Sequence, residues 1–319
     1  MMKNENELIP RTPRGGPALE LDFPGLHIGI AEYDEGPTGC TVLSFPHGAA
    51  SAVDVRGGSP GFIGGYERVD AVCFAGGSLY GLEATTGVAS EILAARGTAV
   101  WGSIACVCGA IIYDFGVRQN LIYPDKALGR AAFLAAEEGR FPVGQRGAGR
   151  SASVGKIRGS TRFVGEPGGQ GGAFRAIGNL RLAVLTVVNS IGVVLDENGG
   201  VLRGLLDRET GRRLHLREVM AEHPEELKIA EGEGGGNTTV SAVVINQRLS
   251  PRELSQLARQ VHSAMACVIQ PFHTLNDGDI LFAVSTEEID SASWNPMALG
   301  QFCSDLAWKA IRAAVCPMG

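Results

Sequence analysis

A run of β-type residues, Thr239-Val240-Ser241-Ala242-Val243-Val244-Ile245, is followed closely by Ser250-Pro251-Arg252-Glu253. The first run reads as a strand. The second is a capping box with proline at the first helical position. Leu254, Leu257, Ala258, Val261, Met265 and Val268 then make one apolar stripe, the signature of a helix lying on a core. His262 lies beside that stripe and reads as a boundary residue. The same mixture runs along the chain. Residues 40–45, 52–55, 69–74, 180–188, 192–195 and 279–285 read as strands. Helical patterns run from Ser78 to Gly97, with Leu79, Leu82, Val88, Ile92 and Leu93 near one face, and over 126–138 and 296–315. No internal repeat and no strong linker interrupts them. The mixture predicts an α/β (mixed α+β) fold, with layers of sheet and helix around one core.

With 319 residues, 45% of them hydrophobic and 19% charged, the chain has the balance of a globular protein. A net charge of −6 without any lysine/arginine run argues against a nucleic-acid partner. The polar start of the chain is not a signal peptide, and residues 1–20, with three prolines, read as a flexible arm ahead of a single domain over 21–319. The longest apolar stretch, 182–195, is broken by Asn189-Ser190 and is too short to span a bilayer. Seven cysteines form no Cys-x-x-Cys pair, and Cys73, Cys267, Cys303 and Cys316 read as small core residues. A reduced, cytoplasmic compartment fits this usage. The six histidines show no metal-ligand spacing, so neither a metal nor another cofactor is expected.

The chemistry concentrates where a glycine-rich acidic run, residues 231–236, meets Asn237-Thr238-Thr239. Locally this reads as a loop entering a strand, and it matches an N-glycosylation pattern that matters only in a secreted chain. Glycines also let the backbone adopt unusual turns, so the Thr238 hydroxyl could reach the Asn237 carbonyl. Attack there would turn the peptide bond into an ester. Hydrolysis of the ester would leave Thr238 as a new N-terminus, whose α-amine, with a pKa of about 7.7–8, can serve as base for its own hydroxyl. Asp277 and Asp279, two apart and just before a strand, could share a face and hold an ammonium and a hydroxyl; they could equally be turn residues. Lys156, alone among small residues, would lower a neighbouring amine's pKa or simply be a loop charge. Asn189 interrupts an apolar run, to pin a turn or to donate to an oxyanion. Tyr113 ends a buried run and needs a partner for its hydroxyl. Gly76-Gly77-Ser78 sits between strand and helix without the spacing of a nucleophile elbow, and reads as tight strand–helix packing. His273 lacks an apparent triad partner.

Several longer stretches carry a resemblance. They are Glu35-Gly36-Pro37-Thr38-Gly39, Tyr80-Gly81-Leu82-Glu83-Ala84, Ile112-Tyr113-Asp114-Phe115, Tyr123-Pro124-Asp125-Lys126-Ala127-Leu128-Gly129-Arg130, Ser151-Ala152-Ser153-Val154-Gly155-Lys156, Gly236-Asn237-Thr238-Thr239, Gln270-Pro271-Phe272-His273-Thr274 and Asp277-Gly278-Asp279. Through them the chain resembles the peptidase family of L-aminopeptidase/D-esterases and β-aminopeptidases, and within it the nylon-oligomer (6-aminohexanoate-oligomer) endo-hydrolases. The resemblance implies a four-layer α/β/β/α sandwich like that of N-terminal-nucleophile hydrolases, with different connectivity. It implies autocleavage at Asn237–Thr238 into fragments 1–237 and 238–319, with Thr238 as nucleophile. It further implies catalytic roles for Lys156, Asn189, Asp277 and Asp279, substrate contact by Tyr113, and a homotetramer. The expected substrate is a small linear amide oligomer cut internally. An exo-acting aminopeptidase of the same fold is the alternative, and a non-catalytic small-molecule-binding assembly protein the remote one. The residues around Asn189 lack the family's prolines, and Cys106 and Cys108 depart from its pattern.

Overall fold

The computed structural model describes residues 2–4, 8–157, 159–227, 236–290 and 293–316. Its main strands are β1 (His27–Tyr33), β2 (Thr38–Val55), β3 (Arg68–Ala75), β4 (Val107–Ile111), β5 (Gly169–Ile177), β6 (Leu180–Asn189), β7 (Thr238–Gln247) and β8 (Ile280–Ile289). The main helices are α1 (Glu83–Arg96), α2 (Lys126–Leu134), α3 (Pro251–Met265) and α4 (Pro296–Val315). The order of hydrogen-bonded neighbours is β5-β6-β7-β8-β2-β3-β4, with β1 also on β2. Parallel pairs need a long crossover. The parallel pairs β7/β8 and β3/β4 have α3 and α1 between them in the chain.

β2 joins two halves of one long sheet. Its first part, through Ser44, pairs with β1 and β3, and its second, from Ala50, pairs with β8. The register shifts between Ser44 and Ala49, around Pro46 and Gly48, where Gly48 takes φ 69°. Sequence reading splits this segment into two strands; the structure makes it one, with the Pro/Gly stretch as its bend.

The core follows the period-two alternation of strands. On β6, Leu182, Val184 and Val188 join Leu254, Leu257, Val261, Leu306 and Ile311 of α3 and α4. Their alternates Ala183, Leu185 and Val187 join Leu43, Phe45, Val72 and Phe74 from the other half of the sheet. On the far side, Val42, Cys73 and Ala75 pack with Ala84, Val88, Leu128 and Ala132 of α1 and α2. The layers therefore run α3/α4, sheet, sheet, α1/α2, the mixed α/β sandwich expected. The α3 capping box forms as read: Ser250 accepts from Glu253 N–H, and the Glu253 side chain accepts in return.

Some local expectations change. The segment after Gly77 starts as a 3-10 turn, Ser78–Leu82, before α1. That turn breaks the 3.6-residue period, so Leu79 is 61% exposed while Val88 is buried. α2 ends at Leu134, because Glu137 and Glu138 pair with β1 instead. Cys73 and Cys303 are buried, but Cys267 is exposed and Cys316 half-buried. The described part of the N-terminal segment is hydrogen-bonded to the domain: Arg11 bridges Glu32, and Ala18–Glu20 pairs with Arg140–Pro142. Of the glycine-rich run before Asn237, residues 231–235 lie outside the described residues. Among the described residues, no helix is long and apolar enough to cross a membrane.

Candidate active site

Sheet pairing brings distant residues to one end of the sandwich. Thr238, the first residue of β7, faces Asn189, the last of β6, in the antiparallel register. On the other side, Asn237 forms a parallel bridge with Asp277, just before β8. Asn237 N–H donates to Asn276 O at 3.0 Å, and Gly278 N–H donates to Asn237 O at 2.6 Å. The 237–238 peptide is thus clamped between the end of β6 and the turn before β8.

The Thr238 hydroxyl points back along the chain. Its Oγ1 donates to Asn237 O at 2.6 Å. That carbonyl oxygen accepts from two donors, the hydroxyl and the Gly278 amide. Thr238 is 2% exposed and Asn237 6%. Gly278 has no Cβ at this point for a steric reason: one built there would lie 2.8 Å from Thr238 Oγ1 and 2.8 Å from Ser59 O. The amide of Gly278 escapes a sequence reading because a backbone donor carries no residue-type signature. The only available cue is a glycine between two acids.

The two aspartates, both fully buried, flank Gly278 between the 274–277 turn, closed by Asp277 N–H to Thr274 O, and the start of β8. Asp277 already keeps the parallel register of β7 with β8, bridging Asn237 as Ile280 pairs with Val240. Asp277 accepts from Thr274 N–H at 2.9 Å and Thr274 Oγ1–H at 2.6 Å. Asp279 accepts from Thr239 N–H at 2.7 Å through one oxygen, and from His273 N–H and Nδ1, both at 3.0 Å, through the other. Burial, and then the neighbouring charge of Asp279, raises the Asp277 pKa above the ordinary carboxylate range. A buried pair of acids cannot easily carry two negative charges.

Asn189 is also fully buried, and its amide is oriented by its neighbours. Oδ1 accepts from Lys156 Nζ at 3.1 Å and Ser153 N–H at 3.0 Å, which turns Nδ2 toward Tyr113 O at 2.9 Å. Lys156 also reaches Asn189 O at 3.1 Å. An amide NH2 has two hydrogens, so one remains beyond the bond to Tyr113. Lys156 therefore stands against Asn189, and Tyr113 enters the network through its carbonyl. The Tyr113 ring lies beside Phe115, and a Cβ on Gly236 would come within 2.8 Å of Tyr113 Cβ.

Two histidines stand behind Asp279. His262 is fully buried rather than at the boundary of its helix face. Its Nδ1 meets Asp54 Oδ2 at 2.9 Å, a partner from β2 that no local pattern on α3 can reveal. Burial lowers its pKa, against the pull of Asp54. His273 pairs with Asp279, not with a serine. Ser78 sits in tight packing, as its surroundings suggest: its N–H donates to Ile112 O, and a Cβ on Gly76 would meet Asp114 Oδ2 at 2.3 Å. Among the described residues, no group of three or more His, Cys, Asp or Glu side chains could hold a metal ion.

Comparison with known proteins identifies the family and the fold. The chain is 46% identical to a 6-aminohexanoate-oligomer endohydrolase of Kocuria sp. (strain KY2), over 97% of this chain and 89% of that protein. In fold it is similar to a Burkholderia sp. beta-aminopeptidase, at TM-score 0.63 and 18% identity over 95% of this chain and 88% of the other. It is equally similar to an L-aminopeptidase D-Ala-esterase/amidase of Ochrobactrum anthropi, described as a variant of the Ntn hydrolase fold, at TM-score 0.62 and 16% identity over 95% and 87% of the two chains. The sequence model of peptidase family S58 matches residues 21–316, which takes in all four layers and both sides of the 237–238 peptide, so the chain belongs to that family of hydrolases.

Proposed function

We propose that the protein is a self-processing N-terminal threonine amidohydrolase that cuts linear amides, 6-aminohexanoate oligomers among them, at internal bonds. The observation that carries this reading is the Thr238 hydroxyl held 2.6 Å from the oxygen of its own preceding carbonyl, with the Gly278 amide on the same oxygen. In processing, Oγ1 bonds to the Asn237 carbonyl carbon and gives up its proton. Negative charge gathers on the Asn237 oxygen, where the Gly278 N–H awaits it. The C–N bond then breaks, the nitrogen takes a proton, and an ester joins Asn237 to Thr238. Water cleaves the ester into an Asn237 carboxylate and a Thr238 with free hydroxyl and free amine. The products are fragments 1–237 and 238–319. Near-complete burial of Thr238 in the uncut chain supports this order, because substrate cannot reach the hydroxyl until the residues before it are released.

In the mature enzyme the α-amine of Thr238 takes the hydroxyl proton, and Oγ1 attacks the substrate carbonyl. Asn189, cross-strand from Thr238, offers its remaining amide hydrogen to the oxyanion, with Lys156 fixing that amide and adding positive charge near the amine. Asp277 and Asp279 hold the β8 side of the site and orient Thr238 and Thr239. Tyr113 borders the substrate. The amine product leaves, and water releases the acid from Oγ1. The name of the Kocuria relative supports the substrate class. Exposed Leu79, Tyr80, Trp101 and Val117 support self-association, with the homotetramer as the expected state, checked by sedimentation.

Denaturing electrophoresis with N-terminal sequencing tests the core of this. Two bands are expected, the smaller beginning at Thr238, and Thr238→Ala should give one inactive band. Active enzyme made of a single uncut chain overturns it. Capped oligomers separate the endo reading, which tolerates them, from an exo-peptidase, which needs the free amine.

A further inference from the structure

His273, behind the site, has no part in the scheme above, yet it holds one of the acids that does. Asp279 is fully buried, and a buried carboxylate must be satisfied by donors. One oxygen takes Thr239 N–H; the other takes both the backbone N–H and the Nδ1 of His273. His273 can present both donors to one oxygen because its backbone is left-handed, φ 60°. Such a conformation is uncommon outside glycine and costs on the order of 1–3 kcal/mol. Its ring is wedged between Phe272, 3.9 Å away between centroids, and His262, 4.4 Å away and edge-on. His262 is in turn fixed by Asp54, and Asp54 by Arg56 Nε at 2.5 Å. The Arg56 guanidinium also bonds Ser263 Oγ and Arg259 O on α3. A line of contacts thus runs from α3 through two His–Asp pairs to the amide of the residue after the nucleophile.

We propose that His273 is a positioning residue for the Thr238 centre: it holds Asp279, and through Asp279 it fixes Thr239 and the aim of the Thr238 hydroxyl. This rests on the amidohydrolase reading for its kinetic consequence, but the placement of Thr239 can be measured without it. The left-handed backbone is kept only because the bidentate grip on Asp279 repays it. His262 and Asp54 serve to keep the ring from turning away.

His273→Gly removes the ring while keeping the N–H and the φ that glycine adopts freely. His273→Asn and His273→Asp are isosteric and tolerate the left-handed backbone, but only Asn brings a donor to Asp279. With processed enzyme and a linear 6-aminohexanoate oligomer, kcat of His273→Gly should fall by about 10²-fold, the size of effect a misplaced reacting group has, with KM nearly unchanged. Asn should recover most of that loss and Asp none. Hydrogen exchange at the Thr239 amide should quicken in Gly and Asp and stay slow in Asn. Equal kcat in Asn and Asp, or equal Thr239 exchange in the two, overturns the proposal, and this pair decides even if the Gly variant does not fold. Wild-type enzyme that cuts no amide defeats the functional reading instead, and the exchange comparison then decides the role of His273 alone.

Discussion

Gly278→Ala adds one methyl directly against the Thr238 hydroxyl, at the proposed processing site. The backbone there does not require glycine, since Gly278 is absent from the left-handed positions. The new Cβ would lie 2.8 Å from Thr238 Oγ1 and from Ser59 O, with Pro60 Cα at 3.4 Å. Ordinary carbon–oxygen contacts begin near 3.4 Å, so something must move by roughly half an ångström. Ser59 is held by its own N–H to Asp277 O, at 2.9 Å. The movement therefore falls on the Thr238 hydroxyl or on the Gly278 amide. Either one weakens the 2.6 Å arrangement around Asn237 O. Full loss of an oxyanion donor costs about 2.7–4 kcal/mol, or 10²–10³ in rate. A displaced donor should cost part of that, so processing should slow by about 10–100-fold. The overpacking itself should cost about 1–3 kcal/mol of stability.

The assay is the time course of fragment appearance in freshly made chain, followed on denaturing gels, with thermal unfolding as a control for folding. Adding Thr238→Ser should restore part of the rate. Serine lacks the methyl that holds the threonine side chain to few rotamers, so its hydroxyl can turn around the new Cβ. A folded Gly278→Ala chain that processes at the wild-type rate would refute the claim that this amide and this hydroxyl act together on the Asn237 carbonyl.

Two further changes test other parts of the structure. Asp277→Asn should stabilise the fold at neutral pH and slow processing: the raised pKa means the ionised form costs stability above that pKa, a cost that disappears as pH falls toward the unfolded value of about 3.9. Melting curves of mutant and wild type should therefore converge at acid pH, and a gap independent of pH would count against a buried ionised Asp277. Gly171→Ala should destabilise without touching the site, because a Cβ there would meet Ala310 O at 2.2 Å and push α4 off β5. A loss of at least 1–3 kcal/mol is expected, read as a melting point lower by several degrees; an unchanged melting point would mean that α4 does not pack as closely as described.

What could be read from the sequence and what could not divides by distance along the chain. The capping box of Ser250 and Glu253 is a local device, and it forms as its four residues dictate. The β6 and β7 runs are local too, although nothing in either says that Asn189 will face Thr238; the register of two long apolar strands decides that. His262 shows the limit most clearly. Its helix position suggests an edge, and the edge becomes interior because Asp54 arrives from the bent end of β2. That bend was itself hidden, since Pro46 and Gly48 read as a turn between strands when they are the crease within one. The acids at 277 and 279 were visible as a pair, but the group between them was not. Side chains advertise chemistry in a sequence, whereas the Gly278 amide has only a position. The residue type there matters for what it omits: any Cβ would crowd the hydroxyl that bonds the Asn237 carbonyl. On the proposed reading, the glycine flanked by buried acids and seated against Thr238 bears more directly on the 237–238 junction than the glycine-rich run before it.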